Sequence, residues 1–205
     1  MDISKSELMA CGIGIFIGGM FTMLFMGNLL PTEDKYQHPI GYSDTPEEVH
    51  VHSDFVLFLD GEEIDLSDDK YQSDTAHIMH ADIHLHGNDD EVIHRHDHGI
   101  TLGVFFGSIG FDLTPDCITS DTETLFCTDD YNELMVFVND ERIEDLVNYV
   151  NKEEDRILIY FGDKDDSETI KNLLLSITNK SCIYSGTCPE RGTAPPESCG
   201  LTCEM

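Results

Sequence analysis

The stretch from His77 to His98 holds seven of the ten histidines in the chain, and five of those seven sit at i, i+2 spacing. His84-Leu85-His86 and His94-Arg95-His96-Asp97-His98 flank Gly87-Asn88-Asp89-Asp90, a run of turn-forming residues. That pattern leaves few folding options. On an extended strand, side chains two residues apart point to the same face. Each His-x-His run therefore reads as a strand carrying a row of imidazoles, and the turn folds one row beside the other.

Register decides whether the rows meet. In an antiparallel pair, directly opposite residues have position numbers of constant sum and share a face. An even sum puts His84, His86, His94, His96 and His98 on one face, with Ile83, Leu85 and Ile93 on the other. An odd sum would bury His94 and His96 among Ile83 and Leu85. Segregation of polar from apolar side chains is what fixes register in a half-buried sheet, so the even register is expected. It requires an odd loop of about three or five residues, in which Gly87 suits a left-handed position.

Neutral imidazole is the commonest side-chain ligand for zinc, copper and nickel. Opposite residues on paired strands have Cβ atoms roughly 4.5–5.5 Å apart, within reach of one ion with bonds of about 2.0–2.1 Å. His77, His80, Asp82, Asp90 and Asp97 are candidate further ligands, and His50-Val51-His52 repeats the spacing on an earlier segment. A single surface His-x-His is usually solvated and binds nothing specific. The four groupings here (50/52, 77/80, 84/86 and 94/96/98) point instead to a transition-metal site, zinc or copper by donor type. Met79 reads as a packing residue rather than a thioether ligand. HExxH, a nucleophile elbow and a phosphate-binding glycine loop are all absent from the sequence.

The chain carries 41 acidic against 11 basic residues, a net charge of −30. Binding of nucleic acid through phosphates needs a basic footprint, so that class is excluded. The charge attracts cations, but adaptation of the whole surface to high salt explains it without a specific acidic function and is preferred to a dedicated acidic binding face. Leu8 to Leu30 contains no charged residue and is long enough to cross a membrane as a helix. No small-residue cleavage site follows, so residues 1–30 read as an uncleaved transmembrane signal anchor. Gly14 and Gly18 form a GxxxG suited to close packing of two such helices; a homo-oligomer and a monomeric anchor both remain open.

Cys117, Cys127, Cys182, Cys188, Cys199 and Cys203 form an even set beyond the apolar segment. In a small domain behind a membrane-targeting segment this reads as a disulfide framework in an oxidising, extracytoplasmic compartment. The local spacings favour Cys117–Cys127 and Cys182–Cys188. Thiol–disulfide exchange normally uses C-x-x-C, which does not occur here, so the bridges read as structural.

Residues 31–49, with three prolines, form a linker, and residues 50–180 an α+β domain. A hairpin turn at Asp60-Gly61 joins Val51–Leu59 to Glu62–Leu66. Asp82–His86 and Glu91–His98 make the histidine hairpin. Thr101 caps a short helix bearing Leu102, Phe105, Phe106 and Ile109, stopped by Gly110. A small hairpin joins Cys117–Thr119 to Thr124–Cys127. Strands follow at Leu134–Val138 and Arg156–Phe161 with a turn at Asn139-Asp140 between them, then a helix over Ser167–Thr178. Residues 181–205 read as a Cys/Pro-rich, disulfide-pinned tail. The expected fold is a largely antiparallel sheet built from hairpins with two short helices, compatible with a β-grasp.

Several segments carry a resemblance: His52-Ser53-Asp54-Phe55 leading to Asp60-Gly61, Val92-Ile93-His94-Arg95-His96, and Gly99-Ile100-Thr101-Leu102-Gly103 running into Phe105-Phe106. Asp155-Arg156-Ile157-Leu158-Ile159 and the run from Cys182 to Gly192 complete it. Together they cover most of residues 50–192. On them the chain resembles a family of small, membrane-anchored extracytoplasmic proteins of archaea and uncultured bacteria, some labelled disulfide isomerases. The resemblance implies the extent of the domain and its compartment. With no C-x-x-C present, it transfers no catalytic residue. The reading from the residues is metal binding without catalysis; the alternatives are a thiol–disulfide oxidoreductase and a structural or adhesive surface protein with its own surface partner.

Overall fold

The computed structural model describes residues 49–195. The apolar segment Leu8–Leu30 with Gly14 and Gly18, the linker before residue 49, and Cys199 and Cys203 lie outside them. Among the described residues, no helix is long and apolar enough to cross a membrane.

The domain is α+β, built on a sheet of seven strands. β1 (Val51–Leu59) turns at Asp60-Gly61 into β2 (Glu62–Glu63); β3 (Ile83–His84) and β4 (Val92–Arg95) follow. After α1 (Leu102–Ser108) come β5 (Asp112–Leu113), β6 (Cys117–Thr119) and β7 (Leu125–Cys127), which form a separate three-stranded sheet. The chain closes with β8 (Asn132–Val138), β9 (Glu141–Ile143), β10 (Arg156–Asp163), α2 (Ser167–Ser176) and the single turn α3 (Ser181–Tyr184). The large sheet has the order β3-β4-β1-β10-β8-β9, with β2 also paired to β1. All its pairings are antiparallel except β1 with β10.

β1 and β10 lie in the middle of this order and are buried on both faces, which is why Phe55–Leu59 and Ile157–Phe161 are continuous apolar runs. Phe55, Leu57 and Leu59 of β1 point into the larger core with Ile157, Ile159 and Phe161 of β10. α1 closes that core with Leu102, Phe105 and Phe106, the Phe55 and Phe105 rings meeting edge to face at 5.7 Å. On the opposite face, α2 lays Ile170, Leu173 and Leu174 over Val56, Met135, Leu158 and Tyr160. The stripe on Ser167–Thr178 thus has a partner at one end of this face, while the β1–β4–β3 end is left for other side chains.

Gly103 is required by a close approach. Its backbone N–H donates to Val147 O at 3.0 Å, and a Cβ there would lie 2.7 Å from that same oxygen. Leu102 N–H donates to Tyr149 O at 2.8 Å, so the 147–149 segment satisfies two of the N–H groups that every helix start leaves unpaired.

Three local expectations are corrected. The strand expected over Glu62–Leu66 is only Glu62–Glu63 long, because the chain then leaves the sheet edge. Asn139-Asp140, both left-handed at φ 52° and 68°, turn the chain not onto Arg156 but onto the intervening strand β9. The histidine hairpin has the even register, His84 opposite His94, with Gly87 left-handed at φ 71°. Its loop is longer than three or five residues, because Leu85 leaves the ladder to bridge Gln72, its carbonyl accepting from Ser73 N–H at 2.7 Å.

Candidate metal centre

β4 lies between β3 and β1, and this position assembles the site. Register sets His84 opposite His94 and His94 opposite His52, three imidazoles in one row across three strands. One step along, the His50 and His96 rings meet at 4.6 Å. His86, just past the end of the β3 ladder, brings its ring to 3.9 Å from that of His94. Six histidines from three strands therefore share one face, while Ile83, Leu85 and Ile93 turn into the larger core on the other.

His50, His94 and His96 each offer a ring nitrogen within 4.8 Å of the other two. A four-coordinate ion with bonds of about 2.0–2.1 Å holds its nitrogens roughly 3.3 Å apart, so modest side-chain rotations would close the set around one ion. The remaining contacts orient the rings. His84 Nδ1 lies 2.8 Å from His80 O, His52 Nδ1 2.8 Å from Ser185 Oγ, and His94 Nδ1 3.2 Å from His86 Nε2. Anchoring one ring nitrogen is how proteins fix the tautomer and aim of a ligating imidazole.

The other candidates stand apart. His77 is exposed in a turn where Asp74 accepts from its backbone N–H. His80 Nδ1 accepts from Asp82 N–H at 3.1 Å, so it buttresses the hairpin. His98 is half-buried, and its backbone N–H is held by Asp97. None of the three joins His50, His94 and His96 in the clustered set. Met79 packs against the larger core.

The histidine face is not open to water, although sequence periodicity suggests a solvated face. His84 and His94 are fully buried and His52 and His86 nearly so, while His50 and His96 are half-buried. The cover is the turn α3 and the loop closed by Cys182–Cys188, a disulfide that the spacing favoured and the structure forms. Tyr184 presents its ring edge-on to His94 at 4.8 Å and reaches Asp89 with its hydroxyl at 3.0 Å. Cys117–Cys127 likewise forms, between directly opposite residues of β6 and β7.

Asp54 holds this cover in place. Its fully buried carboxyl accepts from Thr178 Oγ1 at 2.7 Å, Lys180 N at 2.6 Å, Ser181 N at 3.2 Å and Ser181 Oγ. Sequence reasoning passed over Asp54, Tyr184 and Ser185. An acid directly before the apolar run Phe55–Leu59, at the same parity as His50 and His52, was the signal for Asp54. A buried carboxyl on such a strand must find donors.

Carboxylates ring the patch. Asp89, Asp90 and Glu91 cluster at one edge, where Lys180 bridges Asp89 and Glu91. Burial works against the Lys180 ammonium, but these two partners outweigh it and raise its pKa. Burial pushes the Asp82 carboxyl above its ordinary range, with Asp97 adding to the effect and His80 opposing it. Glu153 accepts from the backbone N–H of His52 and from Ser185 Oγ. Such a rim raises the local concentration of cations. Imidazoles on one face, a held cover and an acidic surround together make an arrangement able to bind a metal ion.

Neither the protein-family models, nor the curated proteins, nor the solved structures include a match to this chain.

Proposed function

We propose that this chain is a membrane-anchored, extracytoplasmic protein that binds a transition metal, zinc or copper, through the histidine face of its sheet, without catalysis. The observation that carries the reading is the convergence of His50, His94 and His96 from two paired strands, each with a ligand atom within 4.8 Å of the others. An all-imidazole donor set suits Zn(II) and Cu(II). The uncharged run Leu8–Leu30 supports the anchor, and two closed disulfides in a small domain support an oxidising compartment. The resemblance to small membrane-anchored extracytoplasmic proteins points the same way. The order β4-β1-β10-β8-β9, with a parallel central pair and α1 packed on one face, supports a β-grasp-like reading of the domain.

The test is calorimetric titration of the full chain in mild detergent with Zn(II) and Cu(II), with elemental analysis of the product. Stoichiometric binding lost in His94→Ala is the expected result. Affinity unchanged when His50 and His94 are both replaced by alanine would sink the assignment. For sidedness, a membrane-impermeant protease should digest the domain on intact cells; protection until lysis would invert the topology.

A further inference from the structure

Six imidazoles are more than one ion can use. A zinc ion in a protein site takes four ligands, so a single site at His50, His94 and His96 leaves most of the other three without a coordinating role. They are not peripheral. His84 is fully buried and His86 is 4 % exposed, in positions where an apolar residue would pack at lower desolvation cost.

Strand register arranges the face as a lattice. The β1 column carries His50, His52 and Asp54, the β4 column His96, His94 and Val92, and the β3 column Asp82, His84 and, beyond the ladder, His86. Backbone pairing continues past the ladder, His96 N–H donating to Asp82 O at 2.8 Å. His50 and His86 thus lie at opposite ends of one diagonal through His94, one toward β1 and the other toward β3. The His84 ring lies 5.8 Å from His86 and 5.0 Å from His96. His84 Nδ1 is engaged by His80 O at 2.8 Å, which fixes the aim of the ring. His86 turns Nε2 inward, 3.2 Å from His94 Nδ1.

We propose that the histidine face holds two metal ions, the second taken by His84 and His86 on the β3 side of His94, next to the ion at His50, His94 and His96. This rests on the metal-binding reading above and adds a stoichiometry and a second ligand set. Water carried in with the second ion would fill its remaining coordination positions, and the acidic rim (Asp82, Asp89, Asp97 and Glu153) offsets the repulsion between two neighbouring dications.

The experiment is a Cu(II) titration of the full chain in mild detergent at high salt, followed by elemental analysis and electron paramagnetic resonance. Two equivalents are expected. At two equivalents, but not at one, the spectrum should show dipolar broadening and a half-field line, with imidazole nitrogen coupling on both ions. His84→Gln should reduce the count to one and remove the half-field line while the first ion stays. His86→Gln should also remove the half-field line, and it weakens the first ion too because His86 Nε2 orients His94. His84 is buried, so its variant is read only with an unchanged circular dichroism spectrum; the wild-type half-field line needs no variant. A single equivalent in the wild type, or a second that survives His84→Gln with His86→Gln, would overturn the proposal while leaving the first site standing. A second equivalent without imidazole coupling is a surface carboxylate ion and would overturn it too. No stoichiometric metal at all would overturn the proposed function itself.

Discussion

Asp54→Ala should cost more stability than removal of any single histidine, and the structure indicates how much. The Asp54 side chain accepts from four groups of the 178–181 segment. Thr178 Oγ1 and Lys180 N lie near the surface, where water can replace the carboxyl. Ser181 is 1 % exposed, so its N–H and hydroxyl would be left buried without their acceptor. Each such group costs about 1–3 kcal/mol. The sum for the two Ser181 groups, about 2–6 kcal/mol, is tempered because the variant no longer buries a carboxyl, which leaves roughly 1–4 kcal/mol. Against a total stability of about 5–15 kcal/mol, that is a large fraction. The loss should be local first: α3 and the 182–188 loop should detach and expose the histidine face. Urea denaturation read by circular dichroism would give the magnitude, and limited proteolysis would show new cleavage within 178–195 before the core is cut. Asp54→Asn keeps one acceptor oxygen but sets an amide donor against other donors, so it should fall between wild type and alanine. An Asp54→Ala midpoint shift worth less than about 1 kcal/mol, with the 178–195 segment still protected, would refute the reasoning.

Metal affinity should fall with pH: ligation needs neutral imidazole, protons compete below an ordinary value of about 6.5, and titrations at about pH 7.5 and about pH 5.5 should differ by an order of magnitude or more. Reduction of Cys182–Cys188, or Cys182→Ser, should cost about 2–3 kcal/mol in the loop-entropy picture and weaken metal binding by loosening the cover; insulin-reductase activity abolished by the same change would instead favour a thiol–disulfide oxidoreductase. Gly103→Ala should destabilise the domain in thermal melts despite alanine's better helix propensity of about 1 kcal/mol, because its Cβ would meet a backbone oxygen at 2.7 Å. In acid, the Asp121 carboxyl, held below its ordinary range chiefly by Lys70, contributes stability that is present above its unfolded value and lost as pH falls through its folded one. The Asp82 carboxyl, raised by burial, works in the opposite sense: the folded state takes up its proton first, so its contribution grows as pH falls toward the unfolded value, and Asp82→Asn should flatten that part of a stability–pH curve.

The local content of the site was legible in the sequence because strand geometry has a period of two. His84, His86, His94 and His96 had to share a face once Ile83, Leu85 and Ile93 claimed the other, and the structure has that register. Asp60-Gly61 and Asn139-Asp140 announced their turns through residues that tolerate positive φ, and the two favoured local cysteine pairs, Cys117–Cys127 and Cys182–Cys188, closed as disulfides. Each of these follows from interactions spanning a few residues. Three other features depend on partners far along the chain, whose pairing no periodicity encodes. β4 docks on β1, which brings His52 opposite His94 and makes a hairpin of histidines into a three-strand patch. β10 skips the edge strand β9 and lies between β8 and β1, pairing in parallel with a strand about a hundred residues earlier, which the turn signal alone does not reveal. The segment read as a tail folds back over the imidazoles, because Asp54, more than a hundred residues earlier, supplies the acceptors for Ser181 and its neighbours. The sequence by itself determined which side chains line up on each strand; the tertiary structure alone decided which strands lie together and what covers them, since that choice is made by burying whole faces rather than by any local preference.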